Sequence, residues 1–269
     1  MKDINYLKSN GVDIDKSLEL FGNIETYNDT IGEFLHGIVD KLNKLNNYKA
    51  TGDMAQYAIY AHSLKSDAKY FGFFTLADIA YEHELKAKAN DYYYITNNFQ
   101  KLTEEVEKTK TIVEQYMSDE PLQVIEDTAN PVTKAVSAYE KQTILVVDDS
   151  NIVRNFVKRI FSEKYDVGVA EDGQEALDIL EANKDNDNII CILLDLNMPK
   201  VSGFKVLDYM KENDLFTKYP TSIISGDSSK ETIDRAFTYG IVDMLGKPFN
   251  ADDVKRVVEK NIYYKEMNK

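Results

Sequence analysis

The sequence contains one cysteine, Cys191, so an intramolecular disulfide is excluded. Cys191 sits in the run from Ile189 to Leu194, where a buried, inert thiol is expected. That run is also the longest wholly apolar stretch, far short of the roughly 20 residues that a membrane-spanning helix needs. The first residues, MKDINYLKSNG, have no apolar segment of the kind a secretion signal carries. These absences predict a soluble, cytoplasmic protein without a membrane partner. Positive charge is scarce as well: 32 Lys and Arg face 46 Asp and Glu, for a net charge of -14. Residues 1–118, 119–142 and 143–269 are each acidic, so no basic half is hidden, and this argues against nucleic acid as a partner. Proline is absent from residues 1–117. No Gly-rich ATP-binding loop occurs, and no Cys or second His lies at metal-ligand spacing from any of the three histidines.

What is present falls into two rhythms. Residues 1–117 place apolar side chains at helical spacing, as in Leu35, Ile38, Leu42 and Leu45, then Leu76, Ile79, Ala80 and Ala87. Breaks near Gly22, Asn46 to Asn47, Gly72 and Asn90 to Asp91 divide this half into four or five helices. An all-α up-and-down bundle is expected, with a core of Leu, Ile, Phe and Tyr. Residues 118–142 lose the periodicity, contain Pro121 and Pro131, and read as a linker, with a short helical stretch possible over 132–139. Residues 143–269 alternate short β-branched runs with amphipathic helices: ILVV (144–147), DVGVA (166–170), IICILL (189–194), TSIIS (221–225) and IVDML (241–245). Five strands in that alternation predict an α/β doubly wound parallel sheet. Asp172 to Glu175 and Ser228 to Glu231 have capping-box spacing, and Val254, Val257, Val258 and Ile262 form one apolar face. The whole is therefore multidomain: 1–117, a linker 118–142, and 143–269.

In a doubly wound sheet the residues just past the strands converge. Here they are Asp148 and Asp149 after the first strand, Asp195 after the third, Ser225 ending the fourth and Lys247 after the fifth. Three carboxylates in one pocket repel each other unless a cation neutralises them, and an oxygen-only site suits Mg²⁺. Lys247 and Ser225 add a positive charge and a hydroxyl where a phosphoryl oxygen would sit.

The motifs ILVVDDS, LLDLNMPKVSGF, TSIISGD and GKPF, in that order, resemble those of the receiver domain of two-component response regulators, over roughly residues 143–266. The resemblance implies a flavodoxin-like receiver fold in which Asp195 is the phosphoacceptor. It implies that Asp148 and Asp149 hold Mg²⁺ together with Asp195 and the Asn197 backbone carbonyl, and that Ser225 and Lys247 contact the phosphoryl group. Receivers usually carry Tyr or Phe three residues before the lysine, as a switch coupled to the Ser or Thr. Here that switch position is Met244, so the usual relay to the outer face is expected to be weakened or altered.

In YAHSLKSDAKYFG, Ala61, Leu64, Ala68 and Phe71 make an inward stripe. His62, Lys65, Ser66 and Lys69 make a neighbouring strip expected to be exposed. Flanking lysines favour a neutral imidazole and attract phosphoryl oxygens, which suits a nucleophilic histidine. His83 lies in register with Leu76, Ile79 and Ala80 and is expected to pack in the bundle, while His36 is expected on the surface. The segment resembles the motif of histidine-containing phosphotransfer (HPt) domains, with GVDIDKSLELFG and LADIAYEHELKAK on either side, over about residues 10–117. By that resemblance His62 accepts phosphate, with Lys65, Ser66 and Lys69 supporting transfer. Ser66 stands where the family commonly has Gly.

Together the two resemblances imply a phosphorelay intermediate carrying phosphoryl groups on His62 and Asp195. It would be a phosphotransfer protein with self-catalysed receiver phosphorylation rather than a kinase. Its implied partners are a sensor histidine kinase and other receiver or HPt proteins. A regulatory interaction module, or a phosphate sink, with the helical half only a docking surface, is the alternative.

Overall fold

The computed structural model describes residues 3–118, 142–184, 186–227 and 229–268. Six helices come first: α1 (Ile4–Ser9), α2 (Ile14–Phe21), α3 (Ile24–Thr51), α4 (Met54–Tyr70), α5 (Phe74–Lys88) and α6 (Tyr92–Met117). The last four are joined by short turns, and each packs on its neighbours, with α3 also against α6, which closes an up-and-down bundle. Their starts are fixed by side-chain caps: Asn23 accepts from Thr26 N, Asp53 from Gln56 N and Asp91 from Tyr94 N. The two short helices close one end, where the Asp13 amide donates to the Gly72 carbonyl at 3.0 Å. Gly72 is at φ +78°, and a Cβ there would stand 2.5 Å from the Asp13 carbonyl oxygen, so both conformation and contact require glycine.

The break expected at Asn46 to Asn47 is absent; α3 runs through to Thr51. Leu45 is fully buried just before the pair, and just after it Tyr48 stacks on Tyr60 and Lys49 lies over the Phe99 ring. Those contacts outweigh the weak local preference of two asparagines. The helix stops at Gly52, whose left-handed backbone lets the Asp53 amide reach the Tyr48 carbonyl.

The second half has strands β1 (Thr143–Val147), β2 (Asp166–Ala170), β3 (Ile189–Leu194), β4 (Thr221–Ser225) and β5 (Asp243–Gly246). All pair in parallel, in the order β2-β1-β3-β4-β5. This is the flavodoxin-like arrangement expected. Helices α7 (Asn151–Phe161) and α11 (Ala251–Met267) pack on one face. Helices α8 (Gly173–Ala182), α9 (Gly203–Glu212) and α10 (Lys230–Ala236) pack on the other. Side chains of β1 alternate accordingly, Ile144 and Val146 to the first core and Leu145 and Val147 to the second. Val254, Val257 and Val258 form the buried stripe of α11.

The cap at Asp172 is present, but its Glu175 carboxylate reaches back to the Glu171 amide. Ser228 lies outside the described residues, and Ser229 caps α10. A complete capping box occurs instead at Asn250 and Asp253. The final strand begins two residues later than expected, because Ile241 packs into the core beside α9 and α10 ahead of the first paired residue, Asp243. Most of the expected linker, 119–141 with the stretch 132–139, lies outside the described residues.

The two halves share a core. Phe21 of α2 meets Phe156 of α7 edge-on at 6.0 Å, Tyr70 of α4 meets Phe249 edge-on at 6.0 Å, and Phe156 and Phe249 are 6.2 Å apart. The helical bundle thus rests on the α7–α11 face and on the loops at the carboxyl ends of the strands, which is where the converging residues lie.

Candidate functional site

The strand ends bring together the residues singled out in the second half. Asp148, Asp149 and Asp195 each place a carboxylate oxygen within 4.8 Å of the others, and Asp148 and Asp195 are buried. Lys247 Nζ lies 2.6 Å from Asp148 Oδ2 and 2.6 Å from Asp195 Oδ2. The backbone fixes each carboxylate: the Ser150 amide donates to Asp148 Oδ1 at 3.0 Å, and the Asn197 amide donates to Asp195 Oδ1 at 3.1 Å. The Lys247 amide donates to the Ser225 carbonyl, and the Ser225 hydroxyl accepts from the Asp227 amide. Met244 is half-buried and packs with the core beneath α8 to α10.

Three acids against one lysine leave the pocket negative. Burial pushes the Asp148 carboxyl up to about 7; Lys247 opposes this, while the charges of Asp195 and Asp149 add to it. Asp149 is raised for the same leading reason, with the Lys41 and Lys247 charges pulling it back. Lys247 is raised although burial lowers it, because three carboxylates favour its charge. A buried, oxygen-only donor set with uncompensated negative charge fits a hard divalent cation.

The histidine of α4 is arranged by different means. His62 Nδ1 lies 2.9 Å from Glu84 Oε1, on α5. Glu84 also accepts from Lys65 at 2.7 Å and from Lys88 at 2.6 Å. In a neutral imidazole the Glu84 carboxylate at that distance favours the proton on Nδ1 and the lone pair on Nε2, while the Lys65 ammonium also lies 3.2 Å from Nδ1. Burial raises the Glu84 carboxyl, but the hydrogen bonds with His62 and Lys65 and the Lys65 charge outweigh it and hold it far below the ordinary range. His62 Nε2 is buried with no hydrogen-bond partner among the described residues.

The strip of His62, Lys65 and Ser66, expected to be exposed, is buried, and Lys69 is half-buried. The receiver half covers it: a Cβ on Gly226, just past β4, would stand 2.8 Å from His62 Nε2 and 3.1 Å from Ser66 Oγ. Lys65 is drawn to Glu84 instead of standing free, and burial lowers its ammonium pKa. A cleft of about 400 Å³ in the helical half is lined by His62, Glu84 and Lys88, with Asn197 of the receiver half at its edge. His83 is buried and bonded to the Tyr57 hydroxyl at 2.7 Å, and His36 is exposed, both as expected.

Several residues at this junction escaped the sequence reading. Glu84 lies in LADIAYEHELKAK, where an acid two turns after Ala77 on a buried face was the available signal. Lys41 pairs with Asp67, both buried, and Asp67 Oδ1 accepts from the Ser150 hydroxyl at 2.8 Å. That chain links α3, α4 and the start of α7, a juxtaposition no local pattern encodes.

A parallel sheet in this order, with acids past β1 and β3, a hydroxyl ending β4 and a lysine after β5, defines a receiver-type domain. The family model of the response regulator receiver domain matches residues 144–259. Two-component response regulator ORR3 of Oryza sativa subsp. indica is 33% identical over 131 residues, 48% of this chain and 97% of that protein. A methanogenesis regulatory protein, FilR2, of Methanothrix harundinacea is 31% identical over 122 residues, 44% of this chain and 79% of its own. Among solved structures, the signal receiver domain of a Luxo repressor protein from Vibrio parahaemolyticus is 28% identical, covering 47% of this chain and 94% of its own with a TM-score of 0.43. Through its second half, the chain belongs to the response regulator receiver family of two-component signalling. No helix among the described residues is long and apolar enough to cross a membrane.

Proposed function

We propose that the chain is a phosphorelay intermediate in which a helical histidine phosphotransfer unit, residues 1–117, and a receiver unit, residues 143–269, carry phosphoryl groups on His62 and Asp195. The observation that carries this reading is the placement of His62: Nδ1 is held by Glu84, and the unpartnered Nε2 faces the loop after β4, beside the acidic pocket. A phosphotransfer histidine needs that tautomer and that direction.

In the receiver unit Asp195 is the acceptor, its Oδ1 oriented by the Asn197 amide and its Oδ2 by the Lys247 ammonium. Asp148, Asp149, Asp195 and the Asn197 carbonyl would hold Mg²⁺, which supplies charge neutralisation for the transferring phosphoryl group. Lys247, now bonded to Asp148 and Asp195, would bind the phosphoryl oxygens by its charge, and Ser225 would donate to them from the end of β4. Met244 replaces the aromatic switch, so the relay through the α10–β5 face is weakened or altered. Lys65, Ser66 and Lys69 support transfer at the histidine: Lys65 by fixing Glu84, Ser66 by its small size at the junction, and Lys69 by its charge. The partners are a sensor histidine kinase and other receiver or HPt proteins, in the cytoplasm.

Site mapping tests this. The full chain given acetyl phosphate and Mg²⁺ should yield an alkali-labile label lost in Asp195→Asn and an alkali-stable label lost in His62→Gln, with neither affected by His36→Gln. An alkali-stable label that persists in His62→Gln overturns the assignment.

A further inference from the structure

The acceptors of the two halves are both buried, and the receiver loop after β4 lies against His62. His62 is 3% exposed and Asp195 1%, which is unexpected for groups that must exchange phosphate with other proteins. The surfaces that cover them are specific. Asp67, one turn past His62, bridges Lys41 and the Ser150 hydroxyl at the start of α7. The Asn155 amide side chain donates to Glu33 Oε2 at 2.9 Å, with Arg159 Nη2 4.0 Å from Glu33 Oε1. The Phe249 amide, two residues past Lys247, donates to the Tyr70 hydroxyl at 3.3 Å. Polar groups paired across a junction disfavour misfit, most strongly where they are buried, as at Asp67, Ser150 and the Phe249 amide. The junction is also complementary in charge, since Lys41 of the helical half faces the negative pocket and acts on Asp149. Gly226 is the point of closest approach, where a single methyl would collide with the His62 imidazole.

Resting on the reading above, we propose that the helical half is the receiver's own partner: phosphoryl exchange between His62 and Asp195 takes place within one chain, in this closed arrangement, and outside proteins reach either acceptor only when the halves part. In the forward direction an Asp195 carboxylate oxygen attacks the phosphorus, the Nε2–P bond breaks, and its electron pair returns to Nε2. The imidazole is left neutral, its Nδ1 proton still shared with Glu84, and an acyl phosphate forms on Asp195. The reverse step runs through the same atoms, and no other reactant is needed. Covalent linkage of two acceptors in one chain gives an effective concentration of roughly 1 mM, some 1,000 times that of chains at about 1 µM.

The test uses full-length chains and acetyl phosphate with Mg²⁺, scored as alkali-stable label on His62. At about 1 µM, the parent should gain it about 100-fold faster or more than Asp195→Asn gains it when mixed with His62→Gln, at a rate independent of dilution. Gly226→Ala, and separately Glu33→Arg opposite Arg159, should lower the parent's rate about 10-fold or more while Asp195 still labels, since both act only where the halves meet. A mixture as fast as the parent, or a parent rate that falls with dilution or ignores both variants, overturns transfer within the chain while leaving the two acceptors standing. Absence of alkali-stable label in parent and mixture at every concentration overturns the acceptor reading itself.

Discussion

The acidic pocket and the histidine site are both buried clusters of charge, yet they are balanced in opposite ways. In the pocket, Lys247 is shared by Asp148 and Asp195 with Asp149 alongside, so negative charge is left over and a cation is wanted. Around His62 one carboxylate, Glu84, is shared by Lys65, Lys88 and the imidazole Nδ1, so the acid is saturated and Nε2 is left without a partner among the described residues. On the proposed function, the first site would receive an electrophilic phosphoryl group with a metal, and the second would present a nucleophilic nitrogen. The contrast teaches that a single counter-charge, placed on the other side of the balance, separates the two roles.

The largest effect expected is at the acceptor of the pocket. Asp195→Asn should reduce labelling by acetyl phosphate about 100-fold or more, because the attacking carboxylate is gone; residual labelling at the parent's rate would break the comparison. Next is Glu84→Gln, which keeps the shape and removes the charge that three donors share. It leaves buried Lys65 without its counter-charge, so the helical half should lose about 3 kcal/mol in chemical denaturation, and transfer to His62 should fall with it. An unchanged midpoint would show that Glu84 does not hold the site.

The pair His62 and His83 sharpens the point. Both are buried, but His83 bonds to a neutral hydroxyl, and burial lowers it to about 4. Unfolded, it titrates near the ordinary histidine value, so the unfolded chain binds the extra proton between the two values. Its contribution to stability is therefore complete above about pH 6.5 and is lost as pH falls toward 4, in total about 3 kcal/mol. His83→Phe should flatten that part of the stability profile measured by urea titration; an unchanged slope would place the acid sensitivity elsewhere.

Asp148→Asn should act in the opposite sense to the usual core change. Its carboxyl is held near 7 chiefly by burial, so ionisation costs stability at and above neutral pH. The metal-free chain should gain about 2 kcal/mol there, with the gain shrinking below pH 7. The same variant should lose any Mg²⁺-dependent rise in Tm. A Tm that still responds to Mg²⁺ would remove Asp148 from the metal set.

Much of this was legible in the residues. Asp148, Asp149, Asp195, Ser225 and Lys247 all sit at strand ends, and a parallel sheet converts that register into proximity. The inward stripe of Ala61, Leu64, Ala68 and Phe71 was likewise set by helical period. What could not be read was exposure. Periodicity assigns His62 and Ser66 to a polar strip, but whether a strip meets water depends on a partner surface, here the Gly226 loop, that lies far away in sequence. The same limit hid the Asp67–Ser150 and Glu33–Asn155 contacts, which join helices of different halves. Helix ends show it on a smaller scale: Asn46 and Asn47 signal a break, and aromatic contacts of Tyr48 with α4 carry α3 past it.

The account turns on His62 and Asp195 being a matched pair, and a chase experiment measures that directly. The full chain is labelled on Asp195 with acetyl phosphate and Mg²⁺, freed of donor, and followed by alkali stability over time. The account predicts that alkali-labile label declines while alkali-stable label on His62 rises in step before hydrolysis removes both, and that His62→Gln shows the decline alone. Loss of the Asp195 label with no matching gain on His62 in the parent would contradict it.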